Sequence, residues 1–220
     1  MENKIHIYFM PGLAASSKIF EYIKLPHKSF ECHYLEWSVP DSIDESLESY
    51  AKKYASQIQQ EEVVLVGVSF GGILVQEISR LIPVKQVIII SSLKTMDEIP
   101  KRLQFLKYTR AYNLFPTKRI SRIDTFSKYD FFRPFKKKAE LYDKYFSIRN
   151  EIYLNWALHQ LLHWENKEIM DKVIHIHGNK DEILPIKHID DCISIEGGTH
   201  AMIIIKAKQI SKIIENLLLP

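Results

Sequence analysis

The sequence has little cysteine, glycine or proline, and this excludes several classes of protein. Its 220 residues include two cysteines, seven glycines and nine prolines. Two cysteines are too few for a disulfide framework, and Cys32 and Cys192 lack the spacing of metal ligands. We therefore expect both cysteines to be core residues, in a protein of a reducing compartment. The low glycine and proline content excludes a collagen-like chain and a low-complexity disordered chain.

Long hydrophobic runs are also missing. No stretch approaches the ~18 consecutive apolar residues that a membrane-spanning helix needs. The first nine residues are too short, and too polar at His6, for the apolar segment of a signal peptide. We therefore expect a cytoplasmic protein. The formal net charge of +3 indicates no particular class of partner.

The residues around Ser69 organise the chain. An apolar run over residues 63–68 contains Gly67, continues through Ser69 and Gly71, and passes directly into helix-forming residues. This pattern predicts a buried strand, a sharp turn with a serine at its tip, and a helix. The two glycines let the turn pass close to neighbouring backbone, while Ser69 adopts a strained conformation that exposes its hydroxyl. Ser69 is therefore the candidate nucleophile, and the N–H of Phe70 is the nearest donor for a developing negative charge.

Further strands and helices alternate on both sides of this motif. Ser42 and Glu45 have capping-box spacing, and an amphipathic helix follows them. A second amphipathic helix closes the chain. Strands separated by helices predict an α/β protein with a parallel sheet wound right-handedly. Besides the strand before Ser69, the predicted strands are residues 5–9, 31–36, 86–90, 173–177 and 192–195.

The alternation stops after Ser92 and resumes near Lys172. Helical patterns between them predict a helical insertion over one end of the sheet, resembling a lid, at about residues 95–170. Residues 101–138 hold twelve lysines and arginines against two aspartates, together with nine aromatic residues. In one interpretation, the aromatic residues contact an apolar substrate and the basic residues make weak contact with an anionic surface. In the other, the aromatic residues pack the insertion and the lysines and arginines only solvate it. No nucleic-acid-binding module accompanies the charge, so we expect no nucleic acid partner.

Asp181 and His200 have the chemistry that a serine nucleophile requires. A serine hydroxyl needs a base within hydrogen-bond reach, and that base needs a group that fixes its tautomer. Both residues follow predicted strands, which places them at the edge of a parallel sheet that also carries Ser69. Asp97, soon after an earlier strand, is the alternative acid. The structural alternatives are a turn-forming role for Asp181 and a helix-start role for His200.

The order Ser69, Asp181, His200, together with the serine turn, resembles the α/β-hydrolase fold superfamily over nearly the whole chain. Residues 177–185, His-Gly-x-x-Asp-x-x-x-Pro, are similar to the acid loop of that family. The resemblance implies one domain over residues 1–220. It also implies a three-layer α/β/α sandwich whose mostly parallel sheet has about six strands, because the first two strands of the eight-stranded family sheet are missing.

The same resemblance implies the roles of the site residues. Ser69 would be the nucleophile, His200 the general base and then the general acid, and Asp181 the orienting carboxylate. The backbone N–H groups of Leu13 and Phe70 would form the oxyanion hole. Many relatives have His-Gly before the first of these donors, whereas this chain has Pro-Gly at residues 11–12, which changes the side-chain support of the loop.

The predicted function is a serine hydrolase without a cofactor, which cleaves the carboxylic ester or thioester of a small acyl substrate. A serine in the sharp turn argues against the dehalogenase and epoxide hydrolase branches of the superfamily. Two alternatives share the pattern: a carbon–carbon bond hydrolase with the same triad, and a non-catalytic ligand-binding protein on the same fold. The oligomeric state stays open.

The sequence contains two pairs of closely spaced histidines. His159 and His163 lie four apart on a predicted helix, a spacing that suits zinc. The intervening residues lack the glutamate of a zinc hydrolase motif, and no third ligand is evident, so we expect no metal and interpret the pair as candidate substrate-binding residues beneath the lid. His175 and His177 share one face of a strand and are interpreted as structural residues.

Overall fold

The computed structural model describes residues 4–114, 117–118, 144–166, 168 and 170–219. The strands in this part of the chain are β1 (Ile5–Met10), β2 (Phe30–Tyr34), β3 (Val63–Val68), β4 (Val84–Ile90), β5 (Val173–Gly178) and β6 (Ile193–Ile195). They form one six-stranded sheet in the order β2-β1-β3-β4-β5-β6, and all five neighbouring pairs are parallel. The predicted sheet of about six mostly parallel strands is confirmed.

Helices follow most of the strands. The α-helices are α1 (Leu47–Ala55), α2 (Phe70–Ser79), α3 (Lys101–Thr109), α4 (Glu151–His163), α5 (Met202–Ile205) and α6 (Ala207–Leu218). The short 3-10 helices are Ser17–Phe20, Met96–Glu98, Ala111–Leu114 and Ile186–His188. Among the described residues, no helix combines the length and the apolar character that crossing a bilayer requires.

Alternate residues of β3 pack against opposite layers. Leu65 lies in the core cluster that also contains the buried residues of α1, α2 and α4, whereas Val64 and Val66 lie in the cluster that contains those of α6. Side chains of a strand point alternately to the two faces of a sheet, so a strand covered on both faces is apolar throughout. This explains the unbroken apolar run and confirms the three-layer sandwich.

The two cysteines lie on opposite sides of this sheet. Cys32 and Cys192 are both free thiols, and each is partly buried. Cys192 packs against the cluster that contains α1 and α2, and Cys32 packs against the cluster that contains α6. Their position against the core agrees with the expectation that they are packing residues.

The N-terminus of α1 differs from the prediction. Its N-cap is Ser46, whose hydroxyl accepts from the Ser49 N–H at 3.1 Å, so the predicted capping box of Ser42 and Glu45 is wrong. Glu45 is instead 92% buried and binds Lys53 at 2.8 Å. The carboxylate is committed to this ion pair and to the N–H of Asp41, so it does not cap the helix.

The described part of the predicted insertion contains two α-helices, α3 and α4, together with the 3-10 helices Met96–Glu98 and Ala111–Leu114 and irregular chain before and after α4. Much of the basic and aromatic segment of residues 101–138 lies outside the described residues. The two interpretations of that segment, and the assignment of a lid, therefore stay predictions.

Candidate active site

Ser69 occupies a sharp turn between β3 and α2. Its backbone angles are φ 52° and ψ −122°, a region that non-glycine residues rarely adopt. The Ser69 N–H donates to the carbonyl of Ile90 at 2.9 Å, and its carbonyl accepts from the Ser92 hydroxyl at 2.7 Å and from the Gly72 N–H at 2.8 Å. These bonds to the neighbouring strand and to the helix hold the strained backbone in place, and the strain itself is as predicted from the sequence.

Two glycines make this turn sterically feasible. A Cβ atom on Gly67 would lie 2.3 Å from the carbonyl oxygen of Gly71, and a Cβ on Gly71 would lie 2.2 Å from that of Pro11. Both distances are far below van der Waals contact, and the obstacles are backbone atoms, which yield little. The predicted steric role of Gly67 and Gly71 is confirmed.

Ser69, His200 and Asp181 form a continuous hydrogen-bonded chain, which we call the candidate triad. Nε2 of His200 lies 3.1 Å from Oγ of Ser69, and its Nδ1 lies 2.8 Å from Oδ2 of Asp181. An ionised carboxylate only accepts hydrogen bonds, so Nδ1 carries the proton and Nε2 is left to accept from the serine hydroxyl. This is the geometry in which a histidine acts as a base toward a serine.

The carboxylate of Asp181 is fully buried and held from both sides. Its second oxygen, Oδ1, accepts from the N–H groups of Ile183 at 2.8 Å and Leu184 at 2.9 Å. Burial alone would raise the pKa of Asp181, but the hydrogen bond and charge of His200, with the Leu184 N–H, outweigh it and lower the pKa. Asp181 therefore stays ionised and faces the imidazole as a fixed negative charge. The exposed Asp97 belongs to the turn Met96–Glu98, and the carboxylate bonded to His200 is that of Asp181.

The loops that carry Asp181 and His200 are packed backbone to backbone. A Cβ on Gly178 would lie 2.2 Å from the carbonyl oxygen of Gly198, and that oxygen accepts from the Lys180 N–H at 2.8 Å. Each loop thus fixes the other. Their close contact follows from the parallel pairing of β5 with β6, which ends both strands at the same edge.

Beneath the acid loop lie the two structural candidates, His175 and His177. Nε2 of His177 donates to the carbonyl of Leu184 at 2.8 Å, and its Nδ1 lies 3.0 Å from Nε2 of His175. Burial lowers the pKa of both side chains, so both are neutral near pH 7. The pair packs the base of the turn that supplies Asp181.

The two expected oxyanion donors flank Ser69. Phe70 begins α2, and Gly12, the residue before Leu13, approaches Ser69 so closely that a Cβ on it would lie 3.5 Å from the serine Cβ. No acceptor in the described part of the chain takes a hydrogen bond from the Leu13 or the Phe70 N–H. Both groups are therefore available to a bound oxygen, although their role as an oxyanion hole stays a prediction.

Backbone and side-chain bonds fasten the loop that carries Leu13. Nε1 of Trp37 donates to the carbonyl of Gly12 at 2.7 Å, and the Ala14 N–H donates to the Tyr153 hydroxyl at 3.1 Å. Sequence analysis missed Trp37 and Tyr153, because a side chain that binds a distant backbone group leaves no motif.

The segment of the insertion that precedes α4 also binds this loop. The Ser147 N–H donates to the carbonyl of Ala14 at 2.9 Å, and the Ser16 N–H donates to the carbonyl of Tyr145 at 2.7 Å. Ala15 and Phe146 form an isolated antiparallel bridge between the same two segments. The chain that leads into α4 is thus paired with the loop beside Ser69.

His159 and His163 lie in the C-terminal half of α4. Their rings stack with centroids 4.2 Å apart, and Tyr112 packs edge-on against both. No hydrogen bond found among the described residues joins either histidine to the candidate triad, and their assignment to substrate binding stays a prediction. In the same part of the chain, no group of three or more His, Cys, Asp or Glu side chains could hold a metal ion.

Comparisons with known proteins find similarity in structure only. No protein-family model matches the sequence, and no curated protein matches it. Among solved structures, an extracellular alpha/beta-hydrolase from a Paenibacillus species is 14% identical and superimposes with a TM-score of 0.59, over 96% of this chain and 98% of its own. This chain has the α/β-hydrolase fold.

Other solved structures share the α/β-hydrolase fold at similarly low identity. A lipase-esterase related protein from Clostridium acetobutylicum is 18% identical, with a TM-score of 0.64 over 99% of this chain and 96% of its own. An enol-lactonase from Burkholderia xenovorans is 11% identical, with a TM-score of 0.67 over 99% and 92%. Within this α/β-hydrolase fold, Ser69, Asp181 and His200 follow the carboxyl ends of β3, β5 and β6, where ligands of parallel sheets bind.

Proposed function

We propose that this protein is a serine hydrolase that cleaves a carboxylic ester or thioester. The observation that supports this proposal is the hydrogen-bonded chain from Oγ of Ser69 through His200 to the buried carboxylate of Asp181. A structural role explains a buried aspartate bonded to a histidine, but it gives no reason for a strained serine at the end of that chain. Several matching structures are named as an esterase, a lipase-esterase related protein or an enol-lactonase, which supports an ester-type substrate.

The proposed reaction begins with proton transfer from Ser69 to His200. As Nε2 of His200 takes the proton, Oγ forms a bond to the carbonyl carbon, and the electron pair of the C=O bond moves to the oxygen. The N–H groups of Leu13 and Phe70 stabilise the resulting oxyanion. The oxyanion then re-forms the C=O bond, the bond from the acyl carbon to the leaving oxygen or sulfur breaks, and the imidazolium gives its proton to that atom. The alcohol or thiol departs, and the acyl-enzyme remains.

Hydrolysis of the acyl-enzyme uses the same residues. His200 takes a proton from water as the water oxygen attacks the acyl carbon, and a second oxyanion forms. As this oxyanion re-forms the C=O bond, the bond from the acyl carbon to Oγ of Ser69 breaks, Oγ takes back the proton from His200, and the carboxylic acid is released. Asp181 stays ionised throughout and stabilises the imidazolium in both steps, which accords with its lowered pKa.

Apolar side chains beside the loop that carries Leu13 support an apolar acyl group. Leu13, Phe146 and Ile148 are partly buried hydrophobic residues packed against the core cluster that also contains Phe70. Phe146 and Ile148 belong to the segment that pairs with the loop carrying Leu13. An acyl chain that enters beside Leu13 would meet hydrocarbon there and lose contact with water.

The test is covalent labelling with a fluorophosphonate, followed by intact-mass analysis. We expect a single adduct on the wild type and none on Ser69→Ala. The matched control is Ser79→Ala, which removes a serine hydroxyl from the far end of the same helix and should keep the adduct. Absence of an adduct on folded wild type would contradict the proposal and favour a ligand-binding protein. Ester and thioester panels of increasing acyl length then distinguish the substrates.

A further inference from the structure

Two buried aromatic side chains bind consecutive peptide units of the loop that carries Leu13. Trp37 donates to the carbonyl of Gly12 at 2.7 Å, and Tyr153 accepts from the N–H of Ala14 at 3.1 Å. Leu13 lies between these two peptide units. Both aromatic residues are more than 90% buried, and their ring centroids are 5.6 Å apart.

The bond from Trp37 determines where the Leu13 N–H points. A trans peptide is planar, and its C=O and N–H groups point in opposite directions. Because Trp37 and the Ala15 N–H both bind the carbonyl oxygen of Gly12, the N–H of Leu13 in the same peptide is directed away from them. Rotation of this peptide would break two hydrogen bonds in a buried place.

Tyr153 fixes the next peptide. Ala14 is fully buried and has φ 59°, a left-handed conformation that non-glycine residues seldom adopt. Its N–H is bound by the Tyr153 hydroxyl and its carbonyl by the Ser147 N–H. Without the Tyr153 oxygen, the Ala14 N–H would be buried without an acceptor, which favours rearrangement of the loop.

Trp37 also contacts the second expected donor. Its ring stacks on that of Phe70, with centroids 5.1 Å apart and planes 10° apart. This stack holds the ring of Phe70, the residue that carries one expected donor N–H. The indole N–H of Trp37 holds the Gly12–Leu13 peptide, which carries the other. One side chain therefore touches both sides of the expected oxyanion hole.

We propose that Trp37 and Tyr153 are positioning residues, here called the aromatic clamp, that hold the Leu13 and Phe70 N–H groups in the geometry that stabilises the oxyanion. This inference rests on the proposed function. Many relatives have a histidine before the first oxyanion donor, and this chain has Pro11 there. We assign the support of this loop to Trp37, from the connection between β2 and α1, and to Tyr153, from α4.

The test compares Trp37→Phe and Tyr153→Phe with Tyr50→Phe. The first two keep an aromatic ring and remove the atom that binds the loop. Tyr50 is also fully buried and its ring also contacts Trp37, but its hydroxyl donates to the carbonyl of Ser38. Tyr50→Phe therefore controls for the loss of a buried hydroxyl from the same cluster.

We expect each clamp variant to lower kcat about 10-fold or more with KM changed less than about 3-fold, because the oxyanion forms only after substrate binds. Tyr50→Phe should leave kcat within about 2-fold of the wild type. If the clamp variants match Tyr50→Phe in kcat while the wild type is labelled at Ser69, the clamp is overturned and the proposed function stands. If the wild type is not labelled, the proposed function itself fails.

The phosphonylated wild type gives a second test that does not depend on how the variants fold. In its crystal structure, the phosphonyl oxygen should lie within about 3.1 Å of the N atoms of both Leu13 and Phe70, the range expected for oxyanion donors. The bonds of Trp37 to Gly12 and of Tyr153 to Ala14 should persist. A phosphonyl oxygen turned away from these donors, or a loop that has released the clamp, would overturn the inference.

Discussion

Nε2 of His200 lies 3.1 Å from Oγ of Ser69, although 131 residues separate them in the chain. The contact depends on two turns at one edge of the sheet, after β3 and after β6. Between these strands lie β4 and β5, so the histidine loop reaches back across the sheet edge to the serine. Its position is fixed through the acid loop, because Gly198 packs directly on Gly178.

Removal of the proposed base, His200, should greatly lower turnover without unfolding the protein. We expect His200→Ala to lower kcat on an ester substrate by several powers of ten, because the serine proton then has no acceptor at that position. The measurement is steady-state kinetics, with circular dichroism to verify folding. His188→Ala, in the 3-10 helix Ile186–His188, changes a histidine that has no part in the candidate triad, so it is the matched control and should keep full activity. A His200→Ala variant within about 10-fold of the wild type would rule out the proposed base.

The lowered pKa of Asp181 predicts loss of stability in acid. A carboxyl group whose pKa is lower in the folded state contributes stability above its ordinary pKa of 3.8, and that contribution disappears as the pH falls through the folded value. We expect the difference in unfolding free energy between wild type and Asp181→Asn to shrink as the pH falls from 5 to below 3.8. Urea unfolding at each pH measures it. If the difference in unfolding free energy between the two proteins stayed constant over this pH range, folding would not favour the ionised form of Asp181.

The buried His175 predicts a second, separate dependence on pH. Its pKa is well below 6.5 in the folded protein, chiefly because of burial, so the unfolded state binds more protons than the folded state below pH 6.5. We expect the wild type to lose stability as the pH falls from 7.5 to 5. His175→Met lacks this titrating group and should lose less over the same range. Equal losses in both proteins would contradict the prediction.

Two glycines near Ser69 should respond differently to an added methyl group. Gly71→Ala brings a Cβ to 2.2 Å from a backbone oxygen, so we expect a loss of about 2–4 kcal/mol in unfolding free energy, or failure to fold. Gly12→Ala brings a Cβ only to ordinary contact at 3.5 Å from the Ser69 Cβ, and we expect a stability change below about 1 kcal/mol. Thermal unfolding compares them, and the reverse order of stability would disprove the steric argument.

The parts of the site that follow strands were predictable from the sequence. Ser69 was identified because the strand, the glycines and the helix that shape its turn are adjacent in the chain. Asp181 and His200 were identified because parallel strands end at a common edge, so loop positions at distant points of the sequence become neighbours. In each case a local pattern carried the information.

Predictions failed or were absent where the deciding contact is not local. The predicted capping box rested on the spacing of Ser42 and Glu45 alone, whereas in the folded chain Ser46 caps α1 and Glu45 binds Lys53. Trp37 and Tyr153 bind backbone atoms 25 and 139 residues away. A backbone carbonyl or N–H exists at every position, so nothing in the residue types marks the partner.

The pairing of residues 145–148 with the loop of residues 14–16 has a practical meaning for protein engineering. Exchange of insertions between enzymes is a common way to alter which substrates they accept. In this protein a replacement that begins at α3 and extends through α4 would also remove Tyr153 and the backbone partners of Ala14 and Ser16. A chimaera should therefore keep the native chain from Tyr145 onward and place its second junction before that residue.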